Sequence, residues 1–363
     1  MPISANDYPA WQGRRVLVTG HTGFKGSWLA LWLRQLGAEV AGLALPAPTE
    51  PSLFDRVRLQ ELVDHVEGDI RDPATVDAVV ARVQPEVIFH LAAQPIVRTS
   101  YLQPVETYAT NVMGTVHVLD AARRLGNVRA IVCVTTDKCY ENREWVWPYR
   151  EDDPMGGFDP YSSSKGAAEL IIAAYRRSFF PGKDMAAGGT GLASVRAGNV
   201  IGGGDWALDR LLPDLVRAFE RGVAPIVRNP GSVRPWQHVL EALGGYLMIA
   251  ERLLVGDATV SEAWNFGPSE EDAQSVAWMV ERMGALWGNV PPPVVEPSTS
   301  ALHEAHLLRL DCSKARSLLG WRPRLRLEEA LAWIVDWHRR VGAGEGARET
   351  TLRQITLYQN REC

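Results

Sequence analysis

The chain has 363 residues, of which 46% are hydrophobic and 22% charged, and its formal net charge is −5. This composition excludes a disordered, collagenous or coiled-coil chain, and the length allows one large domain or two ordinary ones. The negative charge excludes the broad basic field with which non-specific nucleic-acid binders hold phosphates. An anionic ligand must therefore be bound by local groups.

The cysteine content indicates a reducing compartment, and the hydropathy indicates neither a signal peptide nor a membrane span. The four cysteines form no CxxC pair and no zinc-ligand spacing, so we interpret them as free thiols. The N-terminal segment has no apolar stretch after a basic start, and no segment approaches the ~18 apolar residues of a membrane span. We therefore expect a cytoplasmic protein with no membrane partner and no nucleic-acid partner.

The first predicted elements form a strand, a glycine loop, a helix and a second strand. Residues 16–19 are a β-prone run, residues 27–36 are helical up to Gly37, and a second apolar run covers 39–45. Glycines allow a sharp turn and a close approach to a pyrophosphate, which binds the N–H groups of the new helix. The alternative is a plain strand-to-helix turn. The candidate cofactor-binding residues of this loop are Gly20, His21, Thr22, Gly23, Phe24, Lys25 and Gly26.

The end of the second strand does not select the cofactor. Dinucleotide sites commonly place an acidic residue there, on the 2′-hydroxyl of the ribose. This chain has Ala44-Leu45-Pro46-Ala47 instead, without an acid. The position leaves NAD and NADP open, although the lack of an obvious phosphate-binding cluster nearby favours NAD.

Strands and helices continue to alternate, which predicts a doubly wound parallel sheet of the Rossmann type. Residues 87–94 and 130–136 are strands, and 111–125 is a helix between them. Ligands bind such sheets at the carboxyl ends of the strands. Asp69 could accept a hydrogen bond from an adenine amine, or it could simply form a turn. The candidate cofactor contacts at these strand ends are Asp69, Ile70, Leu91, Ala92, Ala93, Gln94 and Thr135, and further along the chain Tyr161 and Lys165 are candidate cofactor contacts as well.

Tyr161 and Lys165 are four residues apart, just before the helical run 166–179. On one helix they would share a face. A nearby cation favours a phenolate, which is a base able to take a hydroxyl proton while a hydride leaves the same carbon. The spacing is common by chance, but here it follows a strand that ends at Thr136.

Together these residues resemble the extended short-chain dehydrogenase/reductase family over nearly the whole chain. The resemblance depends on the glycine loop, Asp69-Ile70, Leu91-Ala92-Ala93, Thr136 and the Tyr161/Lys165 pair. Within the family, the chain is similar to the nucleotide-sugar 4,6-dehydratases that act on CDP-glucose. The strings that carry this similarity are Gly20–Trp28, Thr136–Trp147, Asp153–Gly157, Arg196–Trp206 and Arg234–His238.

The resemblance implies a reaction in which bound NAD is first oxidant and then reductant, so that no net redox change occurs. The pathway context that it implies is deoxysugar biosynthesis for the lipopolysaccharide O-antigen. Tyr161 takes the proton from O4, and Asp137 is the acid for the departing C6 oxygen, which requires a raised pKa. Lys138 is either the C5 base or a cation that stabilises the enolate. The catalytic residues are Thr136, Asp137, Lys138, Tyr161 and Lys165.

The remaining chain is predicted to form a smaller, interleaved nucleotide-sugar domain. The boundaries are 14–200 with 236–267 for the dinucleotide domain, 201–235 and 268–340 for the substrate domain, and 341–363 for a loose tail. By resemblance, arginines and Asn199 hold the diphosphate. Trp206 could stack on a pyrimidine, but core packing is the more economical interpretation. The candidate substrate residues are Arg98, Asn199, Trp206, Arg228 and Arg234.

No metal is expected, because His303, Glu304 and His306 lack the HExxH spacing of a zinc helix. The resemblance also implies a homodimer, or a dimer of dimers, formed through helices near 105–125 and 164–179. Two rival functions stay open at this point. One is a sugar-nucleotide 4-epimerase, which needs neither Asp137 nor Lys138. The other is a non-catalytic NAD-binding protein, against which the intact Thr136/Tyr161/Lys165 set argues.

Overall fold

The structure is a computed structural model that describes residues 10–296 and 307–361. Its strands are β1 (Arg15–Thr19), β2 (Glu39–Ala44), β3 (Asp64–Glu67), β4 (Val87–His90), β5 (Ala130–Val134), β6 (Gly191–Ala197), β7 (Asn199–Ile201), β8 (Ile226–Val227), β9 (Val233–His238), β10 (Ala263–Phe266), β11 (Ala273–Ser275) and β12 (Val294–Val295). Its helices are α1 (Phe24–Gln35), α2 (Leu53–Arg56), α3 (Pro73–Val83), α4 (Val97–Leu102), α5 (Pro104–Tyr108), α6 (Gly114–Leu125), α7 (Pro160–Ser178), α8 (Leu211–Glu220), α9 (Val239–Leu254), α10 (Val276–Trp287), α11 (Leu327–Gly342) and α12 (Ala347–Gln359).

Seven strands form one parallel sheet in the order β10-β6-β5-β4-β1-β2-β3. Successive side chains of a strand point to opposite faces, and parallel sheets are covered on both. Val16 and Val18 accordingly pack into one apolar cluster with α1 and α9, whereas Leu17 packs into another with α3 and α6. The strand order reverses between β1 and β4, and the ligand crevice of such a sheet opens at that point. The predicted doubly wound sheet is confirmed.

A smaller group of elements lies beyond β6. β7, β9 and β11 form a three-stranded sheet, β8 pairs with β12, and a separate apolar cluster joins α8, α10 and α11. β10 returns to the large sheet beside β6, as expected for residues 264–266. The predicted return at residue 236 differs from the structure, because β9 pairs with β7 and β11, and the return begins with α9. The proposed domain division itself stays a prediction.

The prediction of a loose tail over 341–363 is wrong for the described residues. α12 is helical and buries Ile355, Thr351 and Gln354. Tyr358 donates to the buried Glu241 carboxylate at 2.9 Å, and its ring lies edge-on to Trp32 at 5.7 Å. The charged residues of this segment dominate its composition, but its buried residues recur at helical spacing and dock α12 on α1.

We expect Ile355→Ala to lower the free energy of unfolding by about 2–5 kcal/mol, because the side chain is fully buried and its truncation leaves a cavity. Leu357→Ala on the same helix is the matched control. That side chain is 44% exposed, so the change should stay within about 0.5 kcal/mol. Denaturant titration measures both values. Equal losses in the two variants would contradict the docking of α12.

Candidate active site

The glycine loop between β1 and α1 is shaped by close backbone contacts. Gly20 has a φ of +77°, and a Cβ there would lie 2.7 Å from the backbone nitrogen of Ala92. A Cβ on Gly26 would lie 2.1 Å from the carbonyl oxygen of Gly20. Gly23 begins α1 as a cap without a side chain. The loop therefore presses the helix against the strand and leaves the first-turn N–H groups of α1 without a side-chain cap.

Two loop side chains support the loop from within the protein. His21 is fully buried, its Nε2 lies 2.7 Å from Nδ1 of His65, and its ring fills the space above Gly42. Burial lowers the pKa of His21 to about 4, and His65 adds to the effect, so the ring is neutral. The Thr22 hydroxyl donates to the carbonyl oxygen of Leu45 at 2.9 Å. These side chains brace the loop against the ends of β2 and β3.

The strand-end residues serve partly structural roles. Asp69 is bound by Arg71, whose Nε donates to it at 2.8 Å, and this bond lowers the pKa of the carboxyl group. Ile70 is buried against Gly114 at the start of α6, so its side chain packs within the protein. The backbone N–H of Ala92 donates to the Thr19 hydroxyl at 3.2 Å. Adenine contacts of Asp69 and Ile70 stay a prediction.

Asn111 was missed by the sequence reasoning, since a single asparagine within a helical run gives no signal. Its side-chain oxygen accepts from the backbone N–H of Gln94 at 2.8 Å. Its side-chain nitrogen donates to the Ser164 hydroxyl at 2.9 Å. Asn111 thereby ties the end of β4 to the helix α7.

Tyr161 and Lys165 both lie on α7, which begins two residues after Phe158 because the Asp159 carboxylate caps it and accepts from Ser162 N–H at 2.9 Å. Both side chains are buried. The Lys165 amine donates to the carbonyl oxygen of Val134, at the end of β5, at 3.5 Å. The predicted shared helix is therefore present, and it packs on the strand that leads to Thr136.

Thr136 and Asp137 complete this cluster. The Thr136 hydroxyl donates to Oδ1 of Asp137 at 2.9 Å and also hydrogen-bonds Tyr161. Asp137 is 3% exposed. Its carboxylate packs against Gly198, where an added Cβ would lie 2.8 Å from Oδ2 of Asp137. Lys138 is half-buried, and its backbone N–H donates to the Thr136 hydroxyl at 3.4 Å. A potential base and a potential acid thus meet around one hydroxyl.

Burial dominates the electrostatics of the cluster. It raises the pKa of Tyr161 to about 12, against the interaction with the Thr136 side chain. It lowers the pKa of Lys165 to about 8, against the negative charge of Glu169. It raises the pKa of Asp137 above its ordinary value, against the cations of Lys138 and Arg234. The raised pKa that the proposed acid role requires is therefore present.

The predicted substrate residues divide into two groups. Arg98 and Arg228 converge on one carboxylate, and each donates to Oδ1 of Asp209 at 3.2 Å. The positive charge of Arg234 acts on Asp137, within the cluster that Asp137 forms with Thr136 and Tyr161. Asn199 begins β7 and is half-buried.

Trp206 is half-buried and packs against the core. Its ring lies edge-on to Trp337 at 5.7 Å and to His338 at 5.9 Å. Of the two interpretations of Trp206, the structure favours core packing.

Neither a metal site nor a membrane helix is found within residues 10–296 and 307–361. These residues hold no cluster of three or more histidine, cysteine or acidic side chains that could bind a metal ion. None of the helices there is long and apolar enough to cross a membrane. His303, Glu304 and His306 lie outside the described residues.

Comparison with known proteins identifies the family of the chain. A model of the GDP-mannose 4,6 dehydratase family matches residues 17–333. The chain belongs to this family. The resemblance to the extended short-chain dehydrogenase/reductases is thereby confirmed, and with it the fold class.

Similar members of the family include enzymes of sugar nucleotides. A CDP-glucose 4,6-dehydratase of Salmonella typhimurium is 56% identical over 350 residues, which cover 96% of this chain and 97% of that protein. The structure of MoeE5 in complex with UDP-glucose and NAD is 27% identical, with a TM-score of 0.72, and covers 90% of this chain and 99% of that one. The Thermus thermophilus UDP-glucose 4-epimerase in complex with NAD shares the fold, at 24% identity and a TM-score of 0.75, with 90% and 99% coverage.

Because Arg234 holds the pKa of Asp137 down, we expect Arg234→Gln to raise that pKa further. Arg228→Gln is the control, because Arg228 binds Asp209 and does not act on Asp137. The ¹³Cγ shift of labelled aspartate, followed against pH and assigned with Asp137→Asn, measures the titration. An unchanged midpoint in Arg234→Gln, or an equal shift in both variants, would contradict this electrostatic assignment.

Proposed function

We propose that the chain is a CDP-glucose 4,6-dehydratase, a hydro-lyase that converts CDP-D-glucose into CDP-4-keto-6-deoxy-D-glucose and water. The observation that carries the proposal is the cluster of Tyr161, Thr136 and Asp137, in which one hydroxyl links a base candidate to a buried acid. A dehydratase needs both groups, whereas an epimerase has no C6 hydroxyl to expel. The 56% identity to the Salmonella enzyme supports the same substrate.

The residues of the glycine loop fit the proposed cofactor, NAD. The close approach at Gly20 and Gly26 leaves no room for side chains, and α1 begins with its N–H groups uncapped. Such a helix start binds a pyrophosphate. Residues 20–26 and the strand-end residues 69, 70, 91–94 and 135 would hold the cofactor. Structural relatives in complex with NAD support the choice.

The proposed chemistry uses the chain's own acid and base groups. When bound, NAD supplies the acceptor and later the donor of one hydride. Tyr161 takes the O4 proton, and Lys165 and Thr136 stabilise its phenolate. The resulting C4 ketone acidifies the C5 hydrogen, which a base removes as a proton. Asp137, whose pKa is raised by burial, gives its proton to the C6 oxygen, which leaves as water. C6 then receives the hydride and C5 a proton, so the balance is the loss of one water.

Lys138 and the diphosphate residues complete the proposed site. We assign Lys138 to the C5 side of the sugar, where a base or a stabilising cation is required. Arg98 and Arg228 both pair with the carboxylate of Asp209. When a diphosphate replaces Asp209 as their partner, the two guanidinium groups offer it two positive charges. We place Arg234 and Asn199 beside them on the substrate side.

We further propose a cytoplasmic homodimer that acts in deoxysugar biosynthesis for the lipopolysaccharide O-antigen. Apolar side chains protrude from the two helical regions that the family resemblance assigns to the interface. Val105 is 73% exposed and Leu170 62% exposed. Unpartnered apolar side chains of this kind are commonly covered by a second subunit.

CDP-glucose carrying deuterium at C4 should give a product with deuterium at C6, because the proposed hydride never leaves the enzyme. Mass spectrometry of the 4-keto product, with UDP-, GDP- and dTDP-glucose as matched substrates, measures both the transfer and the base preference. Loss of the label to solvent, or retention at C4, would contradict the proposed reaction. Equal turnover of all four substrates would contradict the assignment to CDP-glucose.

Tyr161→Phe should lower kcat by about 10²–10⁴-fold, because the ring stays in place and only the proton-accepting oxygen is removed. Tyr175→Phe, elsewhere on α7 and half-buried, is the control and should retain activity. Bound NAD, measured by its absorbance after denaturation, should stay near the wild-type level in both. Full turnover by Tyr161→Phe would exclude the phenol as the base.

A further inference from the structure

Glu169 is a buried carboxylate for which the proposed reaction has no use. It lies one helical turn beyond Lys165 on α7 and is 4% exposed. Three groups bind it: the Thr135 hydroxyl, the Ser194 hydroxyl at 2.8 Å, and Nη2 of Arg196 at 2.8 Å. Burial alone would raise the pKa of Glu169, but Arg196 and these hydrogen bonds hold it below its ordinary value. The group is therefore charged.

The three partners come from the strands beside the catalytic cluster. Thr135 directly precedes Thr136 and follows β5, whereas Ser194 and Arg196 are two residues apart on β6 and so face the same side of the sheet. The backbone N–H of Thr135 also donates to the carbonyl oxygen of Val195 at 2.9 Å. Glu169 thus joins the catalytic helix to both strands at the height of the catalytic threonine.

Arg196 extends the connection to the turn after Asp137. Its Nη1 donates to the Tyr140 hydroxyl at 2.6 Å and to the carbonyl oxygen of Glu151 at 2.9 Å. Tyr140 in turn donates to Oδ1 of Asn265, on the edge strand β10, at 2.7 Å. The guanidinium also lies 4.9 Å from the centre of the Tyr140 ring. A buried ion pair therefore fixes the segment 136–140 against three strands and α7.

Glu169 is also the one carboxylate that acts on Lys165 within the described ranges. The other groups that face Lys165 are Cys133 on β5, Cys139 after the catalytic turn, His90 on β4 and Lys25 on α1. Burial raises the pKa of both thiols, that of Cys133 to about 12, and lowers the pKa of His90 to about 3, so these groups are neutral near pH 7. Burial lowers the pKa of Lys25 to about 7, so this group carries only part of its positive charge at that pH. The negative charge near Lys165 comes from Glu169.

We propose that Glu169 is a positioning residue, which locks the Tyr161–Lys165 helix to the strand end before Thr136 and supplies the negative charge that keeps Lys165 cationic. Only the expected effect of Glu169 on turnover rests on the proposed function. The contacts themselves belong to the chain, so the charge of Lys165 can be measured without cofactor or substrate. Burying an ion pair costs desolvation free energy, so a buried pair beside the proposed catalytic residues indicates a role there beyond stability.

The first test follows the titration of Lys165 directly. The chain has five lysines, so [¹³Cε]-lysine labelling gives few signals, and Lys165→Met assigns the one of interest. Lys165 should titrate near pH 8 in the wild type and about one pH unit lower in Glu169→Gln. Glu241→Gln, which neutralises another buried carboxylate far along the chain, is the matched control and should leave Lys165 unchanged. An unshifted Lys165 in Glu169→Gln would overturn the proposal.

The second test uses the holoenzyme with CDP-glucose. The alkaline limb of kcat should move to lower pH in Glu169→Gln, because Lys165 then loses its proton at lower pH, and Glu169→Asp should restore part of the shift. Glu169→Gln/Arg196→Met also removes the cation that Glu169→Gln leaves without its partner, and it should still show the low Lys165 titration if the first variant folds poorly. An unmoved limb would overturn the proposal. Absence of wild-type turnover would instead refute the proposed function, and the titration would still decide the role of Glu169.

Discussion

The enclosure of ionisable groups at the carboxyl ends of β5 and β6 is the constraint on which the site depends. Tyr161, Lys165 and Asp137 are each less than a tenth exposed. Burial disfavours every charged form, so it works against the phenolate of Tyr161 and the cation of Lys165 while it favours the neutral acid of Asp137. Burial therefore assists the proposed acid role of Asp137 and opposes the charged forms that the proposed roles of Tyr161 and Lys165 require.

The chain counters the unfavourable part with local partners. Thr136 hydrogen-bonds Tyr161, and Glu169 opposes the loss of charge at Lys165. These partners are held in turn by β5, β6 and α7, whose packing is set by the parallel sheet. The fold thus fixes Thr136 beside Tyr161 and Glu169 beside Lys165. Each of these electrostatic interactions is stronger in the low dielectric of the protein interior than it would be in water.

Much of this could be predicted from sequence because it depends on local patterns. The glycine spacing, the alternation of apolar runs and the Tyr161/Lys165 spacing each reflect one element or one turn, and the structure has the sheet and the shared helix. Other features depend on pairings between distant segments. The contacts of Glu169 with Ser194 and of Tyr358 with Glu241 join residues 25 and 117 positions apart. No local pattern marks such a partner.

The errors have the same physical origin. The C-terminal segment is predicted as loose from its charge, yet the residues that α12 buries recur on one helical face and pack on α1. His21 lies in the cofactor motif, but its side chain is directed into the sheet by the absence of a side chain at Gly42. Sequence identifies the residues of a motif, whereas the neighbouring strand decides which of their side chains face the cleft.

The balance of charge in the cleft also explains why acid and base can share one site. A phenolate and a protonated carboxyl group that were directly bonded would exchange their proton at once. Here the Thr136 hydroxyl lies between them, donating to Asp137 and hydrogen-bonded to Tyr161. A hydroxyl has one donor and two acceptor sites, so it can contact both groups and fix their relative orientation. In the proposed reaction Tyr161 acts at C4 and Asp137 at C6, so an internal hydride transfer of this kind requires the two groups to hold separate, fixed positions.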